Sequence, residues 1–440
     1  SMFIDTLLNC RWVIPIIPQN CVFERVSIAI HKKRIIAICE QSEASQRFEP
    51  SVTYALDRHL VLPGLINSHT YASLNVLAKI IFEQSNQSWF HKLPQVLTNY
   101  SSSPDLISDA TQIAVAEMIK TGTTCFADVA LFSNIAANVA RECGIRSQIS
   151  FPLTETSKLI NKSWEAQINV GLRLFDDYKN SEQIRVACAP QSISSLDNNK
   201  LTDLATYVHE IELPLQICAQ NWLEEISVSL KKFKARPLER LAACGLLTPQ
   251  SQLIHMTQLK QSDLLLLQEF NSHIIYCPRF NLISASEFYP VGKLKKMDIN
   301  VALGSGGFSR DLSFDLLNDL QFASFLSRAL DQDDMALSPL ESLRMATLDG
   351  ATALGWQEEI GTLEVNKLAD LIAIEIKYSD EQTINNIAAG VVYKSYNHKI
   401  THSFVGGLPL MINGNLETLN EELLHRKRRD WVAKMVHVDY

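Results

Sequence analysis

Eight apolar runs of strand length recur from residue 61 onward, at 61–66, 123–128, 147–151, 184–189, 213–219, 252–256, 273–277 and 299–304. Helical stretches separate most of them. Between the first two, Ala110, Ile113, Ala114, Glu117 and Met118 fall at helical spacing, and Lys120-Thr121-Gly122 supplies the glycine at which a helix stops. Eight strands alternating with helices predict an α/β fold, a (β/α)8 barrel of the TIM type.

The two ends of the chain follow another period. Val26-Ser27-Ile28-Ala29-Ile30 and Arg34-Ile35-Ile36-Ala37-Ile38 alternate as short strands, and so do Ala369–Ile374 and Lys399–Phe404. The economical arrangement is a small β-sandwich domain made from both ends, residues 1–58 with 360–415, beside a barrel of residues 59–359. Residues 416–440 are predicted as a charged helical tail. Its basic run His425-Arg426-Lys427-Arg428-Arg429 reads as a solvated helix face. A length of 440 residues accommodates a barrel of about 250 residues and one smaller unit.

A net charge of −8 argues against nucleic acid and anionic membranes as partners, because both select a dense positive surface. The nine cysteines are scattered, odd in number and without a Cys-x-x-Cys pair, so no disulfide framework is expected. No run of 18 apolar residues occurs. The expectation is a cytoplasmic protein with small-molecule or protein partners.

In such a barrel the chemistry sits at the C-terminal strand ends. The first strand is followed by His69 and Tyr71, which one spacer places on the same face. Two such positions are how a zinc enzyme presents ligands, but a neutral phenol is a poor substitute for imidazole. The fifth run continues as Gln216-Ile217-Cys218-Ala219-Gln220-Asn221, the sixth holds His255, and the eighth opens into Gly304-Ser305-Gly306-Gly307-Phe308-Ser309. That glycine-rich turn reads as a loop.

Several longer motifs accompany these positions: Pro63-Gly64-Leu65-Ile66-Asn67-Ser68-His69, Thr121-Gly122-Thr123-Thr124-Cys125-Phe126-Ala127-Asp128, Cys277-Pro278-Arg279-Phe280-Asn281-Leu282, and Lys367-Leu368-Ala369-Asp370-Leu371. Through them the chain resembles the amidohydrolase superfamily, in the branch of methylthioadenosine/S-adenosylhomocysteine deaminases, guanine deaminases and triazine chlorohydrolases. The resemblance implies a catalytic metal held by two histidines after the first strand, one after the fifth and an aspartate after the eighth. Those positions are His69, Tyr71, Cys218 and Gly306 here. The implied proton-shuttling glutamate falls on Asn221, the substrate-contacting histidine on Gln191, and the histidine before the Cys-Pro pair on Tyr276; the sixth-strand histidine is kept as His255.

The resemblance therefore implies the fold of a C–N hydrolase with its chemistry replaced. Gly306 offers no side-chain donor, and the amide of Asn221 cannot cycle a proton. Losing three such groups, at 10- to 100-fold each, removes on the order of 10³ to 10⁶ in rate. The expectation is a catalytically degenerate member without a metal cofactor. It retains His255 as a residual catalytic position and Gln191, Asn221, Tyr71, Tyr276 and Gly306 around a pocket for a purine-like ligand. Two alternatives stand beside it: an active zinc hydrolase rebuilt on His69, Cys218 and His255, and a non-catalytic ligand-binding or oligomer-partner subunit. A homo-oligomer is expected. Asp128 reads as a structural cap.

Overall fold

A computed structural model describes residues 1–82, 103–155, 162–191, 193–306, 312–377, 384–394 and 398–436. Its centre is the expected barrel. Strands β5 (Leu65–Thr70), β6 (Thr123–Val129), β7 (Arg146–Leu153), β8 (Ile184–Pro190), β9 (Leu215–Ala219), β10 (Ser251–His255), β11 (His273–Tyr276) and β12 (Val301–Leu303) pair in parallel and in chain order. The sheet's two edges meet where the Gly306 N–H donates to the His69 carbonyl at 2.8 Å. Each strand is buried along almost its whole length, as the near-continuous apolar runs require of strands covered by helices.

The remaining strands form one continuous sheet drawn from both chain ends. β1 (Met2–Val13), β2 (Phe23–His31), β3 (Arg34–Glu40) and β4 (Phe48–Pro63) come from the first 63 residues; β13 (Leu371–Ile376), β14 (His398–Val405), β15 (Leu408–Ile412) and β16 (Asn415–Leu416) come from the last 70. Their spatial order is β16-β15-β14-β13-β4-β1-β2-β3. The joint is β4, parallel to β1 on one side and antiparallel to β13 on the other.

The first apolar run divides between the two sheets. Leu60 to Pro63 pair with β13, and the barrel begins only at Leu65. Gly64 lies between the two, and only glycine fits there, because a Cβ would stand 1.8 Å from Thr124 Oγ1 on β6. The tail helix Glu421–Val436 packs against the helices Ala72–Phe82 and Pro104–Lys120. Its basic run is only partly solvated: Lys427 Nζ lies 3.0 Å from Asp109, whose other oxygen accepts from Trp431 Nε1 at 2.8 Å. Among the described residues no helix is long and apolar enough to cross a membrane.

One buried ion pair ties sheet to barrel. Arg146, at the start of β7, donates from Nε and Nη2 to the two carboxylate oxygens of Asp370 at 2.7 and 2.9 Å. Both side chains are almost wholly enclosed, and Asp370 also accepts the Gly406 N–H at 2.8 Å. The fork geometry of a bidentate pair offsets the cost of removing both charges from water. Asp370→Ala leaves the Arg146 guanidinium enclosed without its counter-charge and is expected to cost about 3–5 kcal/mol in urea unfolding. Replacing both partners with apolar residues should cost less than that single change.

Candidate functional site

The barrel mouth is built around His69, at the end of β5 and fully enclosed. Its Nδ1 lies 2.9 Å from Gln216 Oε1 on β9, across the barrel. Which atom carries the proton follows from the neighbours. Gln216 Nε2 is 2.8 Å from the Ser68 carbonyl, which can only accept, so that atom must be the amide nitrogen. Oε1 then faces the imidazole and His69 is protonated on Nδ1. The same logic passes along the barrel: Gln216 Nε2 donates to Gln252 Oε1 at 2.9 Å, and Gln252 exchanges paired hydrogen bonds with Gln148 at 2.8 and 2.9 Å.

Burial, opposed by the hydrogen bond to Gln216, pushes the His69 pKa down to about 4. The ring is neutral at physiological pH, with a bare Nε2 that has no hydrogen-bond partner among the described residues. Tyr71 packs edge-on against this ring, centroids 5.1 Å apart. Its hydroxyl reaches toward Gln191 Oε1 at 3.5 Å and lies beside the Cys218 thiol. Cys218 is open on one side to the mouth yet ringed by protein, and that surround pushes its pKa up to about 12. Gln191 is anchored by its own amide to the Ala189 carbonyl at 2.9 Å.

His255 closes the sixth strand with φ of 77°, a backbone turn that aims its ring into the mouth, 6.4 Å from His69. Phe280 stacks on it at 5.0 Å. Burial, and then the neighbouring His69, push its pKa down to about 3. Asn221 is tied into the loop after β9: Thr257 Oγ1 donates to its Oδ1 at 3.1 Å, and its N–H donates to Glu225 at 3.2 Å. Thus His69, Tyr71, Gln191, Cys218, His255 and Gly306 gather at one end of the barrel, and Asn221 borders them.

Tyr276, expected at the pocket, lies in the main apolar cluster with its ring 5.0 Å from Tyr289. Asp128 is the cap its position suggested, accepting the Ala72 N–H at 2.8 Å and the Thr70 hydroxyl at 3.1 Å. Burial, opposed by those two bonds, leaves its pKa raised to about 6. Of the glycine-rich turn, residues 307–309 lie outside the described residues. For Gln216, Gln252 and Gln148, which carry this network, the sequence signal is slight: 216 and 218 share a strand face.

The residues at the mouth do not fit a zinc ion. A zinc site needs three or four close donors, with cysteine as thiolate. Position 71 offers a phenol, a poor zinc ligand, and among the described residues no three His, Cys, Asp or Glu side chains are arranged to hold a metal. Room is missing as well as charge. A Cβ on Gly306 would stand 2.3 Å from His69 Cδ2 and 2.9 Å from Cys277 Sγ, so the imidazole lies where an acidic side chain at 306 would have to begin.

Comparison with known proteins bears on this geometry. Residues 60–410 match the amidohydrolase family. A 5-methylthioadenosine/S-adenosylhomocysteine deaminase of Teredinibacter turnerae is 32% identical over 432 residues, covering 98% of each chain. A 5'-deoxyadenosine deaminase of Methanobrevibacter smithii is 28% identical, covering 86% of each. Among solved structures, an adenosine deaminase from Xanthomonas campestris with bound zinc superposes with a TM-score of 0.93 over the whole of both chains, at 26% identity.

Gly306→Ala is expected to destabilise the protein by about 1–3 kcal/mol through overpacking against His69, read as a lower urea midpoint with unchanged slope. Gly306→Asp should lose at least as much and gain no zinc by elemental analysis.

Proposed function

The chain belongs to the amidohydrolase family, and from that premise we propose that it binds a small uncharged, purine-like molecule at the barrel mouth without hydrolysing it. The observation that carries this reading is the pairing of Gly306 with the His69 ring, which leaves neither a carboxylate nor space for one. Hydrolytic deamination needs water activated from a pKa of about 15.7 toward about 7, and a base that then cycles the proton. Here the positions that would do both carry a thiol, a phenol, an amide and a hydrogen atom.

The ligand class draws on the relatives, whose names specify deaminases of methylthioadenosine, S-adenosylhomocysteine and 5'-deoxyadenosine. Neutral hydrogen-bonding groups at the mouth, the phenol of Tyr71 and the amides of Gln191 and Asn221, suit an uncharged heterocycle better than an ion. Purified full-length protein should release no ammonia from methylthioadenosine above the buffer rate, carry far less than one zinc per chain, and still bind that nucleoside by calorimetry. Robust ammonia release with stoichiometric zinc would overturn the proposal.

A second reading keeps hydrolysis, with zinc on His69, Cys218 and His255. It is favoured by the two ring nitrogens, His69 Nε2 and His255 Nδ1, that have no partner among the described residues. On that reading Cys218→Ala abolishes both zinc content and turnover, so measuring the two together in that variant decides between the readings. Self-association is also proposed, supported by the exposed Phe322, Phe325 and Leu330 on the helix Leu316–Asp331. Light scattering that returned the mass of one chain would remove it.

A further inference from the structure

At the opposite end of the barrel from His69, β8 starts ahead of β9: their one register pair is Cys188 with Leu215, the first residue of β9, so residues 184–187 have no partner in β9. Beside them lies a cavity of about 390 Å³ at the N-terminal strand ends, lined by Lys179, Ser181, Arg185, Glu212 and Gln252 among others. This volume falls within the range of small-ligand sites.

Its lining is rich in donors. Arg185 is held in place by its Nη1, which donates to the Gly355 and Leu354 carbonyls at 2.6 and 3.2 Å, and by Trp356, over which the guanidinium stacks at 4.5 Å. Those contacts leave further N–H groups of the fork unused. Glu359, whose charge reaches Arg185, is itself paired with Arg34 at 2.7 Å. The Ser181 oxygen accepts two backbone N–H groups, from Gln183 and Ile184, so its own proton is free to donate. Lys179 adds a half-exposed ammonium shared with Asp176. Against these donors stands one acidic side chain in the lining, Glu212.

A pre-positioned guanidinium beside hydroxyl and ammonium donors, in a cleft partly shielded from water, is the chemistry that recognises oxyanions. We infer that the cavity beside the start of β8 binds a small oxyanion, a carboxylate or a phosphate, with Arg185 as its principal contact. The site is separate from the barrel mouth and does not depend on whether the mouth binds or turns over a nucleoside. It reaches the mouth's scaffolding at one point, because Gln252 lines the cavity and is also hydrogen-bonded to Gln216.

The test is calorimetric titration of the full-length protein with inorganic phosphate and, separately, with citrate, ionic strength being held constant with sodium chloride. One saturable site per chain is expected for at least one of the two, and the better ligand identifies the anion class. Arg185→Gln should weaken binding tenfold or more, and Glu212→Gln should tighten it several-fold by removing the opposing charge. Absence of a saturable site for both anions would overturn the inference, as would wild-type affinity in Arg185→Gln. Should Arg185→Gln fail to fold by circular dichroism, Lys179→Ala takes its place: several-fold weaker binding there, with tighter binding in Glu212→Gln, supports the site, and unchanged affinity in both overturns it.

Discussion

A single backbone carbonyl, that of Ser68, fixes the polar interior of the barrel. Because it can only accept, it orients the amide of Gln216, which in turn sets the proton of His69 on Nδ1 and aligns Gln252 and Gln148. All three glutamines are fully enclosed where barrels of this type usually carry branched apolar residues. Left unpaired, each amide would cost about 1–3 kcal/mol; paired head to tail, the set is satisfied and admits one orientation. His69 is thereby an anchored member of a neutral network across the barrel.

The substitutions at the mouth are coherent when viewed from that network. His69 keeps its enclosed place, and Gly306 makes room for its ring. Tyr71 covers the same ring from the other side, with its hydroxyl beside Cys218. Each group is neutral in its surroundings, since burial holds the thiol and phenol protonated and the two histidines unprotonated.

How far the sequence could be read depended on the range of the interaction concerned. The barrel was legible because burial on both faces leaves continuous apolar runs, and the terminal sheet because alternation does. The division of the first run at Gly64 was not, since it is set by two different pairing partners far along the chain, β13 before it and β6 after it. Spacing sufficed to bring His69, Tyr71, Cys218, His255 and Gly306 together, as strand ends share one rim of the barrel. Tyr276 lies in the apolar cluster while its neighbour Cys277 comes close to position 306, because adjacent residues on a strand face opposite ways. Gln216 carried no recognisable signal: an amide acquires its meaning from the partners that orient it.

The strand β4 has a consequence for how the protein is made. Its antiparallel partner β13 emerges some 300 residues later, so the ribosome delivers the first four strands long before the segment that completes their sheet. Until then β4 presents an unpaired row of amides and carbonyls, the kind of edge along which nascent chains pair with one another. Closure of the terminal sheet is a late and non-local event, and contacts of such sequence separation slow folding. A chain truncated before Leu371 would carry that open edge permanently, which makes the C-terminal strands guardians of solubility as much as parts of a domain.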